Sequence, residues 1–344
     1  MKRSSSKNKD EHIRICLERD VASTRTSGFE RYYFKNNPTP EISFNDVDTS
    51  CEFLGKRISA PFIILPMTGG TEFSTGINRN LARAAQELGV VMSVGSQRLG
   101  LERPSLADSY RVRDVAPDIP LLANLGAVYL NYGYGLDECE RAVEMIGADG
   151  LYLYLNSMQK MIQQTKELNF EGLIDKIAGI CEHLSVPVIV KEVGFGLSSN
   201  SAQRLKEAGV SMLDISGAGG TSWAKVSRRM ENNPLGESAS CFDDWGIPTA
   251  DSLISVRSAE KDLPIIASGG IRNGVEMAKA MALGADYAGM AFSLLSPAVK
   301  SSYAVKDKIE NVIEQLKITM FCCGLVNLGQ LKTGHILFRI REFP

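Results

Sequence analysis

Eight short apolar runs recur between residues 61 and 292, and this repetition restricts the fold more than any other feature. They are PFIILPM (61–67), GVVMSVG (89–95), PLLANLG (120–126), GLYLYLN (150–156), VPVIVKEVG (186–194), VSMLDISG (210–217), LPIIASGG (263–270) and DYAGMAF (286–292). Each is too short and too uniformly apolar for a strand with one wet face, which fits parallel strands buried on both faces. Between them lie amphipathic segments such as NRNLARAAQEL (78–88), DECERAVEMI (137–146), SAQRLKEA (201–208) and GVEMAKAMAL (274–283). Several end in LGV, IGADG, AGVSM or LGADY, where glycine stops a helix and the next strand starts almost at once. The alternation predicts an α/β fold, a (β/α)8 TIM barrel. A doubly wound sheet is the rival, but its glycine fingerprint should follow the first strand, and PMTGG is followed by no GxGxxG.

A chain of 344 residues could hold two domains, although such a barrel commonly spends about 250 residues on one core. The expected division is an N-terminal extension over 1–59, covering one end of the barrel, and a barrel over 60–344. Within the barrel, the polar stretch 217–247 is long for a strand-to-helix loop, a class that is often functional or mobile. With 44% hydrophobic and 23% charged residues the chain can bury a sizeable core. A net charge of −2 argues against a nucleic-acid partner, while leaving room for a local basic pocket. No run reaches the length of a membrane span, and the opening MKRSSSKNKDEH lacks a signal peptide's apolar stretch, so the expectation is no membrane insertion and a cytoplasmic location. The seven cysteines form no CxxC pair and lack matching histidines, which disfavours zinc or a disulfide framework. Cys322 and Cys323 lie in ITMFCCGLVNLGQL and read as a buried helical end.

Barrels of this kind place their chemistry at the carboxyl ends of the strands. Those ends carry Met67, Thr68 and Gly69; Ser96, Gln97 and Arg98; Asn124; Asn156 and Gln159; Lys191 and Glu192; Ser216, Gly219, Gly220 and Thr221; Gly269, Gly270, Ile271 and Arg272; and Ala291. Any one Ser, Asn or Thr is explained as well by capping a helix or closing a turn. Their convergence from every side is what points to a site. In ASGGIRNG two glycines precede a helix start, so backbone N–H groups can approach a phosphate with Arg272 nearby. Lys191 ends an apolar run and can hold positive charge beside the pyrimidine side of a flavin, where negative charge gathers on reduction. A Schiff-base lysine is the alternative. The neutral hydrogen-bonding company of Thr68, Ser96 and Asn124 favours the flavin.

Taken together, KDEHI, PMTGG, GSQR, ANLGA, LNSMQ, VKEVGFG, DISGAGGTSW and ASGGIRNG resemble type 2 isopentenyl diphosphate isomerase, in unbroken order over nearly the whole chain. The GGIR turn is shared by many FMN barrels, whereas GSQR followed by ANLGA and LNxxQ is specific. The resemblance implies an FMN enzyme that interconverts isopentenyl and dimethylallyl diphosphates by proton transfer through reduced flavin, with NADPH only priming the cofactor. It implies FMN contacts from Met67, Thr68, Ser96, Asn124, Lys191, Ser216, Thr221, Gly270, Arg272 and Ala291, with Gly69, Gly269 and Ile271 in the same turns. Lys9, His12, Arg98, Asn156 and Gln159 would face a prenyl diphosphate, with Gln159 and Asn156 serving the reaction; outside the family pattern, Lys160 is expected to join the substrate residues and Tyr154 the catalytic ones. A homo-oligomer of four or eight chains is also implied.

Two departures stand in the turn after the fourth strand. The family pattern resembles LHLNxxQE, its glutamate helping to hold Mg²⁺, and here Tyr154 and Lys160 occupy the histidine and glutamate positions; near the start, Asn8 stands where an arginine is expected. An ammonium repels a divalent cation. The reading that follows is that no residue here is assigned to a metal, that Lys160 itself meets the diphosphate, and that activity is independent of Mg²⁺. Two alternatives stay open: an FMN enzyme acting on another prenyl or phosphorylated substrate, and a flavin-binding protein without catalysis.

Overall fold

The computed structural model describes residues 4–340 except 232 and 334, and the side chain of Asn8 lies outside what is described. Every apolar run contains a strand: β1 (Phe62–Ile64), β2 (Val91–Ser93), β3 (Leu121–Gly126), β4 (Gly150–Tyr154), β5 (Val188–Lys191), β6 (Met212–Asp214), β7 (Ile265–Ser268) and β8 (Tyr287–Met290). Each pairs in parallel with the next, and β8 returns to β1 with Ala288 opposite Phe62 and Met290 opposite Ile64. The closed sheet has no free edge, so it needs none of the devices that protect exposed strands.

Alternation along the strands explains why the runs had to be apolar throughout. Ile63, Val91, Leu122, Tyr152, Ile189, Met212 and Ile266 point inward and pack as one cluster. Their neighbours Phe62, Ile64, Met92, Leu121, Leu151, Val190, Leu213 and Ile265 pack outward beneath the helices. Each such side chain contributes about 1.5–3 kcal/mol by leaving water. The first crossing helix, Glu72–Leu88, starts earlier than its periodic segment suggests because Thr71 and Ser74 cap each other reciprocally at its start; Gly89, at φ 63°, ends it.

The extension reaches both ends of the barrel, whereas one end was expected. A hairpin, Cys51–Phe53 with Lys56–Ile58, inserts Phe53 and Ile58 into the inner cluster and plugs the amino-terminal end. Its turn residues Leu54 and Gly55 both have positive φ, the conformation that lets a short hairpin follow strand twist. At the other end the first helix, Ser4–Glu18, lies across the barrel mouth, with Lys9 reaching the Ser96 carbonyl at 2.7 Å. Behind it Ser23 N–H donates to Gly220 O at 2.9 Å, and Ala250 N–H donates to Ser27 O at 2.9 Å. The strand Tyr32–Phe34 pairs antiparallel with Leu337–Arg339, tying the extension to the tail of the barrel.

Cys322 and Cys323, expected to be buried, are only half-buried at the end of the long helix Ser302–Cys322, and the seven cysteines are all free thiols. Among the described residues no helix is long and apolar enough to cross a membrane.

Candidate active site

A cavity of about 360 Å³ opens at the carboxyl ends of the strands. Met67, Thr68, Ser96, Asn124, Tyr154, Asn156, Lys191, Ser216, Thr221 and Ala291 line it, so seven of the barrel's strand ends or the turns after them contribute to its wall. Thr68 Oγ1, Asn124 Oδ1 and Asn156 Oδ1 are buried there without a protein partner. A buried polar atom left unpaired costs about 1–3 kcal/mol, and these three acceptors suit a ligand with hydrogen-bonding groups. Ser216 holds a positive φ of 36° at the same rim, a conformation paid for by its place in the turn.

The glycine corner lies beside this cavity. Gly269 and Gly270 have φ of 97° and 76°, and a Cβ on either would meet the carbonyl oxygens of Gly217 at 2.0 Å and Gly219 at 2.6 Å. A Cβ on Gly220 would meet Gly270 N at 2.5 Å. Two loops therefore touch backbone to backbone, with the helix Gly274–Ala282 starting just beyond and capped by Asn273. Arg272 is exposed and donates to Gly219 O at 2.9 Å and Gly270 O at 3.0 Å, so its guanidinium staples the two loops together. Ile271 is buried, and Gly69 packs against the ring of Tyr110 behind the cavity. These five residues do not line the cavity itself.

At the cavity rim the first helix places Lys9 and His12 beside Arg98. Lys9 Nζ donates to Tyr110 Oη at 2.9 Å as well as to Ser96, and burial with Arg98 nearby pushes its ammonium down to about 7. His12 Nε2 lies 3.0 Å from Met230 Sδ, its ring stands edge-on to Trp223, and burial followed by Lys9 pushes it down to about 4. Its imidazole is therefore neutral near pH 7. Arg98 pairs with Glu102 at 2.7 Å and lies 5.1 Å from the centre of the Tyr129 ring. Asn156 Nδ2 donates to Gln159 Oε1 at 2.9 Å, which fixes the Gln159 amide in the cavity wall. Tyr154 donates to Ser96 Oγ at 3.3 Å, and burial keeps its phenol protonated above the usual range.

Lys160 corrects the simple picture of a reversed charge. Its ammonium is buried, 2.9 Å from Tyr129 Oη and 3.0 Å from Glu167 Oε2. A carboxylate thus returns to the turn seven residues further on, and Lys160 already has a partner in the free protein. Sequence reasoning missed Tyr110, Tyr129, Gln163, Glu167 and Trp223. Trp223 was in view within the quoted GGTSW motif, whereas Glu167 follows QQTK with no pattern to mark it.

A cradle of unpaired amides and hydroxyls, a buried lysine and a glycine corner for a phosphate define a flavin-binding (β/α)8 barrel. The chain matches the FMN-dependent dehydrogenase family over residues 6–102 and 140–337. Solved structures share the fold: a lactate oxidase of Pediococcus acidilactici has a TM-score of 0.68 at 16% identity, covering 98% of this chain and 94% of that one. A mandelate oxidase gives 0.66 at 17% identity, covering 98% of both chains. The isopentenyl-diphosphate delta-isomerase of Nostoc sp. is 49% identical over 335 residues, 97% of this chain and 96% of that protein. Those of Oceanobacillus iheyensis and Rickettsia felis are 44% and 48% identical, each covering at least 95% of both chains. The chain belongs to the isopentenyl-diphosphate delta-isomerase family, on its FMN-dependent branch.

Proposed function

We propose that this protein interconverts isopentenyl and dimethylallyl diphosphates on FMN. The observation that carries the reading is the division of one cavity into a neutral floor of Thr68, Asn124 and Asn156 and a cationic rim of Lys9, Arg98 and Lys160. A prenyl diphosphate has the same division, an apolar alkene and a highly charged head. Leu65, Ile13 and Leu295 give the alkene apolar contact, and the rim cations meet the diphosphate oxygens by charge-assisted hydrogen bonds.

Reduced FMN, when bound, supplies the group that gives and takes the proton. Thr68, Asn124 and Lys191 would hold its ring edge, and Gly269, Gly270 and Gly220 would let backbone N–H groups meet its phosphate. The protein's own residues orient and exclude. Gln159, fixed by Asn156, aligns the alkene or a water beside the ring without adding charge. Tyr154 stays a hydrogen-bond donor, and neutral His12 with Trp223 closes the mouth against solvent. NADPH as the priming reductant and an assembly of four or eight chains follow from the family likeness alone.

Lys160 supports independence from Mg²⁺, because its charge already occupies the corner where a metal would sit. The same residue, with Tyr154, supports a second reading in which the substrate is another prenyl or phosphorylated compound. Anaerobic turnover of isopentenyl diphosphate with FMN and NADPH, with EDTA or Mg²⁺, separates them. Turnover that survives EDTA is the expected result. Bound flavin without turnover in either condition favours the second reading, and protein that takes up no flavin overturns both.

A further inference from the structure

The barrel floor below the cavity holds a carboxylate that the proposed reaction does not use. Asp214 is 0% exposed; its Oδ1 accepts from the Ser268 hydroxyl at 2.5 Å and from Ser216 N–H at 3.2 Å, and its Oδ2 from Tyr152 Oη at 3.4 Å. Three donors from three parts of the barrel hold one buried acid. The register of β5 and β6 sets it opposite Lys191.

The groups around Lys191 leave Asp214 as its main countercharge. Just past the end of β5, Glu192 spends its carboxylate on the N–H groups of Val193, Gly194 and Phe195, and its backbone carbonyl accepts from Lys191. Neighbouring β4 brings Tyr152 and Tyr154, whose phenols burial keeps protonated. Lys9 and His12 on the first helix line the same cavity. Burial pulls the Lys191 ammonium down, and Asp214 ahead of Glu192 pushes it back up; burial likewise pushes the Asp214 carboxyl up, and Lys191 together with the donors from Ser268, Ser216 and Tyr152 pulls it back toward the ionised form.

We propose that Asp214 is a positioning residue for the flavin, keeping Lys191 charged at the pyrimidine side of FMN and thereby setting the cofactor's reduction potential. A lone ammonium in this environment sheds its proton to escape burial. Without the acid, the positive pole that favours reduced over oxidised FMN disappears as pH rises. The proposal rests on FMN binding and on no choice of substrate, so its test contains no substrate.

The experiment measures the midpoint potential of FMN-loaded protein between pH 6 and 9. Asp214→Asn should add a break to that profile which the parent lacks and which Asp214→Asn combined with Lys191→Met abolishes. At pH 9 the variant's preference for reduced over oxidised FMN should fall about tenfold, roughly 30 mV for a two-electron couple. Ser268→Ala, which weakens the acid's support but keeps the acid, should shift the profile the same way by less, and decides the matter should Asp214→Asn retain no flavin. Asp214→Glu should restore the parent profile. A potential that tracks the parent at every pH, even with weaker FMN binding, reduces Asp214 to a packing role and overturns the proposal. So does a break that Glu192→Gln removes and Lys191→Met does not.

Discussion

The Lys160 ammonium lies 3.0 Å from the Glu167 carboxylate, with 6% of the lysine side chain and 29% of the glutamate exposed. The cation is the desolvated member, so it depends on the pair more than the acid does. Removing one partner of a buried pair costs about 3–5 kcal/mol, and partial exposure of Glu167 lowers the expected cost of Glu167→Gln to about 1–2 kcal/mol. The freed ammonium should then grip an anion better. Thermal melts should show a lower Tm alone and a larger rise with inorganic diphosphate; equal rises in parent and variant would remove the pair from the anion site.

Reversing the charge at the same corner tests the metal. Lys160→Glu sets a second carboxylate beside Glu167, and two oxygen ligands in one turn suit Mg²⁺. The variant should melt lower than the parent in EDTA, because like charges repel, and recover with millimolar MgCl2. Diphosphate affinity should become dependent on Mg²⁺ in parallel. A Tm and affinity indifferent to Mg²⁺ would show that the cation in the parent does not stand in for a metal.

Lys9 makes diphosphate binding sensitive to pH. Its folded value of about 7 lies below the ordinary 10.5, so the free protein holds it mostly neutral at pH 8, and an incoming diphosphate should recharge it. Calorimetry in buffers of different ionisation enthalpy should show up to about one proton taken up on binding at pH 8, and much less at pH 6. The stability term has the matching sign: the unfolded chain binds more protons between about 7 and 10.5, so this group makes the protein more stable as pH rises across that window. Lys9→Met should abolish both slopes. Proton uptake that persists in Lys9→Met would assign it elsewhere.

How much of this was legible follows physical lines. The strands could be read because a closed parallel barrel buries both faces of each one, leaving uninterrupted apolar runs such as the one around Ile63. The glycine corner could be read because Gly269 and Gly270 have a single function, close approach of backbone. Glu167 could not, because its relation to Lys160 depends on how the turn at Gln164, with φ of 50°, folds the chain back. Phe53 was equally hidden, since nothing in CEFLGKRI says that a hairpin will enter the barrel floor.

Gly220 allows the proposed phosphate grip to be tested apart from the rest of the fold. A methyl group there would stand 2.5 Å from Gly270 N, on the amide proposed to meet the phosphate, although Gly220 itself has no left-handed φ to strain. Gly220→Ala should keep the far-ultraviolet circular dichroism of the parent and lose at least tenfold in FMN affinity, about 1.4 kcal/mol. Fluorescence titration of the apoprotein with FMN measures it. Undiminished affinity would place the phosphate away from Gly270.

Within the long loop 217–247, Arg228 ties two turns together. Arg228 donates through Nε and Nη2 to both carboxylate oxygens of Asp243 at 2.8 Å, and its side chain and that of Asp243 are only 10% and 12% exposed. A two-pronged bond of this kind fixes geometry as well as charge, and a lysine cannot reproduce it. The far side of the same loop carries Trp223 against His12 and Asp244 against the hydroxyls of Ser23 and Thr24, so loosening it should open the cavity mouth. Arg228→Lys should therefore lose amide protection across 223–245 while β1 to β8 keep theirs, read by hydrogen exchange with mass spectrometry. Proteolytic cleavage within the loop should quicken, and bound FMN should slow it again if the loop closes over the flavin. Uniform protection in variant and parent would show that the barrel face alone, without this ion pair, orders the loop.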